Sequence, residues 1–211
     1  MMQDADLADL LCTRLCHDLA GPVGAVVAGM ELMADEDDPR LARETVALLK
    51  GSADAVSSRL RFLRTVFGMS LAEERDLADL ATLCDEWIRA TKSGITLLWG
   101  DDFDRPSTPG HVGRMILCMI MLTADHLVRG GSISVRSGGG HLDRGVVVAA
   151  TGTQVTLIPD LDHLLSGQPV VPGPRNAPVI LLHQLAMRAG WCLSHAFSKQ
   201  EITLCATPMR L

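Results

Sequence analysis

Apolar residues recur every three or four positions from about Asp4 to Asp35 and again from Leu41 to Gly68, so the chain begins with two long amphipathic helices. In the first, Leu11, Leu15, Leu19, Val23, Val26, Met30 and Met33 fall on one side, and Asp4 or Asp6 is placed to cap its start. The run Asp35-Glu36-Asp37-Asp38-Pro39 ends it as a solvated turn. In the second, Leu41, Thr45, Leu48, Ser52, Val56, Leu60, Leu63 and Phe67 repeat the spacing. At 1.5 Å per residue each helix is about 40 Å long, and a hairpin of that length cannot cover both of its apolar stripes by itself. Two hairpins paired into a four-helix bundle would cover them, which predicts a homodimer.

Beyond Gly68 the periodicity changes. Leu77 to Lys92 reads as a helix, Ile95 to Trp99 as a strand, and Gly110 to Val128 as a strongly apolar helix stopped by Gly130-Gly131. Strands follow at Ser132 to Arg136 and Gly145 to Ala150, turned at Gly138-Gly139-Gly140. Thr151 to Asn176 is rich in proline and loop-like, with one helical turn near Leu161 to Leu165. Pro178 to Ala189 reads as a helix, and Cys192 to Phe197 with Glu201 to Ala206 as a closing strand pair. This order predicts an α+β sandwich with helices on one face of a mixed sheet. The expected division is a helical hairpin over residues 1–70 and the sandwich over 71–211.

A chain of 211 residues that is 47% apolar can support such cores. Its net charge of −6, scattered basic residues and seven Phe and Trp without any Tyr argue against a nucleic-acid surface. The opening Met1-Met2-Gln3-Asp4-Ala5-Asp6 is acidic and unlike a signal peptide, and no uninterrupted apolar run reaches about 18 residues, so a cytoplasmic protein with no membrane association is expected. The six cysteines lack paired spacings and read as free thiols acting as small hydrophobes. Cys12-Thr13-Arg14-Leu15-Cys16-His17 is one residue too long for the Cys-x-x-Cys-His haem attachment pattern, and no second cluster would complete a metal site with it.

Chemistry concentrates at His17. On a helical wheel it points away from the apolar stripe and into water. Arg14, Gly21, Gly24 and Ala28 share its stripe, with Ala20 close by, and these small side chains leave the imidazole open to something bulky. Pro22 has no N–H, so the carbonyl of Asp18 loses its helical donor and a bend is expected there. Gly and Pro inside a helix are locally unfavourable, as expected where function overrides propensity.

His17-Asp18-Leu19-Ala20-Gly21-Pro22 on a helical hairpin, followed by this α+β order, resembles a two-component histidine kinase: a dimerisation and phosphotransfer hairpin joined to an ATP-binding domain of the kinase and gyrase type. The resemblance implies that His17 is phosphorylated, Asp18 assists proton movement and Pro22 bends the helix. The ATP-binding motifs are missing. Met119-Ile120-Met121-Leu122-Thr123-Ala124 lacks the asparagine pair that would hold magnesium, and Ala150-Thr151-Gly152-Thr153-Gln154 lacks the adenine-binding aspartate. Val171-Pro172-Gly173-Pro174-Arg175-Asn176 replaces the Gly-rich phosphate lid with prolines, which offer no N–H to a triphosphate.

A histidine hairpin on a degenerate, Bergerat-like ATPase domain resembles the ChpT-type histidine phosphotransferases of alphaproteobacterial cell-cycle phosphorelays; the Arg14 to Leu19 opening and Gly21-Pro22-Val23-Gly24-Ala25 carry the likeness. It implies transfer of a phosphoryl group from the receiver aspartate of a hybrid kinase (CckA-like) through His17 to response regulators (CtrA-like and CpdR-like). The chain would bind no cofactor itself, with Mg²⁺ held by the receiver. Asp18 would accept a hydrogen bond from the imidazole or be a solvated charge, and Arg14 would bind phosphoryl oxygen or be an ordinary surface charge. Ala20, Gly21, Gly24 and Ala28, with Arg59 and Phe62 on the second helix, would form the receiver-docking surface; periodicity places Phe62 equally well in the core. Gly21 stands where bifunctional kinases carry Thr or Asn, which argues against phosphatase activity. An ATP-dependent kinase and a non-catalytic receiver-binding scaffold are the alternatives.

Overall fold

The computed structural model describes residues 4–34, 38–68, 73–156, 161–165 and 168–209. The element order is α1 (Asp4–Ala34), α2 (Pro39–Gly68), β1 (Glu74–Asp76), α3 (Leu77–Thr91), β2 (Ile95–Trp99), β3 (Ser107–Pro109), α4 (Gly110–His126), β4 (Gly131–Gly138), β5 (His141–Thr151), α5 (Leu161–Leu165), α6 (Ala177–Ala189), β6 (Trp191–Phe197) and β7 (Glu201–Pro208). The fold is α+β: an N-terminal helical hairpin, then a sheet with helices on one face. Asp6 lies inside α1 and so does not cap it, while most of the acidic turn and the expected 70/71 boundary fall outside the described residues.

Five strands form the main sheet in the order β2-β4-β5-β7-β6, parallel between β2 and β4 and antiparallel elsewhere. Register stacks the inward residues in rows: Val135 opposite Val148 opposite Leu204, and Ile133 opposite Ala150 opposite Ile202. These six side chains are buried. Over them lies α4, apolar around most of its circumference because it is covered by the sheet on one side and by α2, α3 and α6 on others. A second ribbon, β1 with β3, escaped the sequence reading because Glu-Arg-Asp and Ser-Thr-Pro are short and carry no apolar alternation. Gly130 (φ 77°) turns the chain from α4 into β4, where a Cβ would sit 2.5 Å from the carbonyl oxygen of Gly94.

The lower hairpin is fastened to this unit. Phe62 of α2 stacks on Trp87 of α3 with centroids 4.1 Å apart, and Arg114 of α4 donates to the terminal carbonyls of Val66 and Phe67, capping α2. Leu7 and Leu11 of α1 are buried in the same cluster. Toward the far end, α1 and α2 approach closely: a Cβ on Gly29 would meet Leu49 Cδ2 at 2.7 Å. There Val23, Val27, Met30, Leu32, Leu41, Val46 and Leu48 are exposed. By length and composition α1 is apolar enough to cross a membrane; its Arg14, His17 and Asp18 stripe and its packing on α2 and α6 are those of a bundle helix.

The cysteines depart from expectation. Cys84 and Cys118 are buried, and burial pushes the Cys118 thiol up to about 12. Cys12, Cys16 and Cys192 are instead exposed, Cys12 beside an apolar groove that Leu11, Leu15, Leu60 and Leu63 line.

Candidate functional site

The helical phase of α1 sets His17 on its outer side, where the side chain is 84% exposed. Its Nδ1 lies 3.2 Å from Asp18 Oδ1. With the carboxylate accepting, the ring carries its proton on Nδ1 and presents the Nε2 lone pair to solvent, the form a nucleophile requires. The other Asp18 oxygen, Oδ2, accepts from Arg14 Nε at 2.8 Å. Arg14 Nη2 then donates to Asp125 Oδ2 of α4, also at 2.8 Å, and Asp125 Oδ1 accepts from Lys92 Nζ at 2.5 Å. The series His17, Asp18, Arg14, Asp125, Lys92 thus runs from solvent on α1 into the second unit.

Burial by itself would raise the Asp125 pKa, but the charges of Lys92 and Arg14 outweigh it and hold the carboxyl below its ordinary range. Burial likewise opposes the charge on Arg14, and Asp125 and Asp18 together more than compensate, so its pKa is raised.

Ala20, Gly21, Gly24 and Ala28 are all exposed on the His17 side, and a Cβ on Gly21 or Gly24 would find nothing within 4 Å outside the adjacent residues and the helix's own backbone. One expectation for α2 is corrected. Phe62 is fully buried against Trp87 and lines no docking surface, because the partner that claims it comes from α3. Arg59 is half-buried, and its Nη1 donates to the main-chain carbonyl of Asp18, the one whose helical donor Pro22 removes. Arg14, expected as a phosphoryl ligand or a surface charge, has its guanidinium shared between two carboxylates.

Asp125 and Lys92 were not anticipated. The available signal was a single acid in a strongly apolar helix, since a charge placed there needs a partner. Nor was the wall opposite His17: a cleft of about 720 Å³ runs between Thr13, His17, Asp18 and Asp125 on one side and the turn at Gly173 to Asn176 on the other. Asn176 fixes that turn, its Oδ1 accepting from Gly173 N–H (2.8 Å) and its Nδ2 donating to Val171 O (3.0 Å). The stretch that would be a phosphate lid is therefore a tight wall beside α1. In α4, Met119 and Thr123 are both buried, with Thr123 Oγ1 donating to the carbonyls of Met119 and Ile120, so the stretch that lacks the asparagine pair faces the core.

A model of the histidine phosphotransferase C-terminal domain matches residues 77–201. The protein phosphotransferase ChpT of Brucella abortus (strain 2308) is 34% identical over 168 residues, spanning 77% of this chain and 75% of that protein. The chain belongs to the histidine phosphotransferase family. This phosphotransferase also superposes on a solved bacterial phosphotransferase with a TM-score of 0.84 and 28% identity over 98% of both chains. The family match lies in the second unit, whereas the whole-chain superposition takes in the hairpin that bears His17. The chain is thus a protein histidine phosphotransferase of a phosphorelay and not an ATP-dependent kinase.

Proposed function

We propose that His17 is the carrier, taking a phosphoryl group from the receiver aspartate of a hybrid kinase (CckA-like) and passing it to response-regulator aspartates (CtrA-like and CpdR-like). The Nε2 lone pair attacks the phosphorus of the aspartyl phosphate in line; the bond between phosphorus and the carboxyl oxygen breaks, and aspartate leaves as a carboxylate. The ring keeps its Nδ1 proton and becomes positive, and Asp18 stands 3.2 Å away to meet that charge. Reversal on a second receiver restores the neutral ring. Mg²⁺ is expected in the receiver's own acidic pocket, since most of the catalysis in such transfers is positioning and charge compensation. The observation that carries this reading is an exposed imidazole, 84% accessible, flanked by small residues and, among the described residues, hydrogen-bonded through Nδ1 alone.

The working form we infer is a cytoplasmic homodimer. Val23, Met30, Leu41 and Leu48 are 45%, 63%, 46% and 71% exposed, and pairing two hairpins would remove this surface from water. Free thiols at Cys12 and Cys16, exposed on α1, suit a reducing compartment.

The test is a pulse-chase. A receiver phosphorylated on aspartate with labelled phosphate is mixed with wild type or His17→Ala, and a second receiver is then added. Label is expected on the wild type and then on the second receiver, with His17→Ala blocking both steps. A wild type that binds receivers yet never acquires label would leave only a scaffold.

A further inference from the structure

We propose that Asp125, in the second unit, is a positioning residue for the chemistry at His17, acting through Arg14 to keep Asp18 turned toward the imidazole. The proposal rests on reading His17 as the phosphoryl carrier. It begins from how Arg14 is used. Nε and Nη2 lie on one edge of a guanidinium, a fork that ordinarily takes both oxygens of a single carboxylate. Here the fork is split, Nε going to Asp18 Oδ2 and Nη2 to Asp125 Oδ2, each at 2.8 Å.

That division has a consequence for Asp18. Its Oδ1 is left to the imidazole, 3.2 Å away, because Nη2 is engaged elsewhere. An Arg14 without Asp125 would close on both Asp18 oxygens, a stronger and charged alternative, and the ring would lose the acceptor that keeps its proton on Nδ1. An Arg–Asp pair four residues apart on one helix, here with side chains 17% and 23% exposed, can meet through one carboxylate oxygen or through both unless a third group engages Nη2. Asp125 supplies the anchor, as it sits on the core helix α4 with its side chain only 15% exposed and its second oxygen held by Lys92 at the end of α3.

Charge counting agrees: Arg14 and Lys92 balance Asp18 and Asp125, so loss of the Asp125 charge leaves two cations competing for one carboxylate. A unit without the ATP-binding motifs would in this way remain necessary to the transfer. It would hold, from a distance of 111 residues in sequence, the tautomer of the reacting ring.

The test uses the full chain with Asp125→Asn, which preserves shape and removes charge, and Asp125→Glu as the conservative variant. The first readout is the tautomer of His17 by long-range ¹⁵N–¹H correlation at about pH 8.5, where histidine rings are generally neutral. The second is transfer from a phosphorylated receiver, with kcat and KM separated. Wild type should show the Nδ1–H form, and Asp125→Asn a mixture of both forms. The same variant should lose about 10- to 100-fold in kcat with KM within about twofold, and Asp125→Glu should recover part of both signals. Should Asp125→Asn fail to fold, Asp125→Ser serves, because it also removes the carboxylate and frees Arg14 Nη2 to close on Asp18; it should produce the same mixture. A wild-type tautomer in either folded variant, or a fall in kcat matched by the fraction unfolded, overturns the proposal. A wild type that takes no label would sink the carrier reading instead, while the tautomer comparison still decides the role of Asp125.

Discussion

Replacing Gly24 by Ala should make the protein more stable and a worse phosphotransferase. Gly24 lies two turns beyond His17 on the same side of α1, about 10 Å along the axis, and a Cβ built there meets nothing within 4 Å outside the adjacent residues and the helix backbone. With no clash to resolve, the substitution gains the helix preference of Ala over Gly, about 1 kcal/mol. For a chain of this size that is about 2–4 °C in Tm. The same methyl stands on the face where we place the incoming receiver, and overpacking a close contact costs about 1–3 kcal/mol, or about 5- to 150-fold in affinity. Thermal melts read the first effect, and transfer rates over a range of receiver concentrations read the second, as a raised KM. Gly24→Leu should deepen the kinetic defect. Gly21 is a poorer probe, because it precedes Pro22 and a side chain there would crowd the proline ring. Wild-type kcat/KM in both Gly24 variants would refute the docking assignment, and a lowered Tm for Gly24→Ala would show that this face is already covered.

Two further outcomes follow from buried polar groups. Arg59→Met should destabilise by about 1–3 kcal/mol in urea titrations, since it leaves the Asp18 carbonyl without a donor. Adding Pro22→Ala, which returns a backbone N–H to that carbonyl, should recover much of the loss in a double-mutant cycle. His126 is fully buried, with Nδ1 2.6 Å from the Leu122 carbonyl and Nε2 without a hydrogen-bond partner among the described residues. Burial depresses its pKa, outweighing that carbonyl and Asp125. Its contribution to stability is therefore complete above the unfolded value of about 6.5 and is lost as pH falls below it toward the folded value. Urea midpoints between about pH 7.5 and 5 should drop more for wild type than for His126→Phe; parallel curves would remove His126 as the cause.

Much of the architecture was legible because it is written in local periodicity. The two long helices, α3, α4, α6 and the strands of the main sheet all carry a repeat of three to four or of two, and the rows Val135–Val148–Leu204 and Ile133–Ala150–Ile202 are the alternation read across strands. What stayed hidden depends on partners distant in sequence. Phe62 fits either side of α2 until Trp87 is brought over it. Arg14 looks like a surface charge until Asp125 arrives from α4, and Asp125 looks like an oddity in an apolar helix until Arg14 and Lys92 are seen beside it. Pro22 foretold an orphaned carbonyl at Asp18, but no spacing rule could name Arg59 as its donor.

The central claim is that one ring, His17, holds the phosphoryl group between receivers. Incubation with an aspartate-phosphorylated receiver, followed by quenching at alkaline pH to preserve phosphohistidine and tandem mass spectrometry with ³¹P NMR, locates the group directly. The account predicts one phosphate per chain, on Nε2 of His17. Phosphate on another residue, or on Nδ1 of His17 in place of its bond to Asp18, would contradict it.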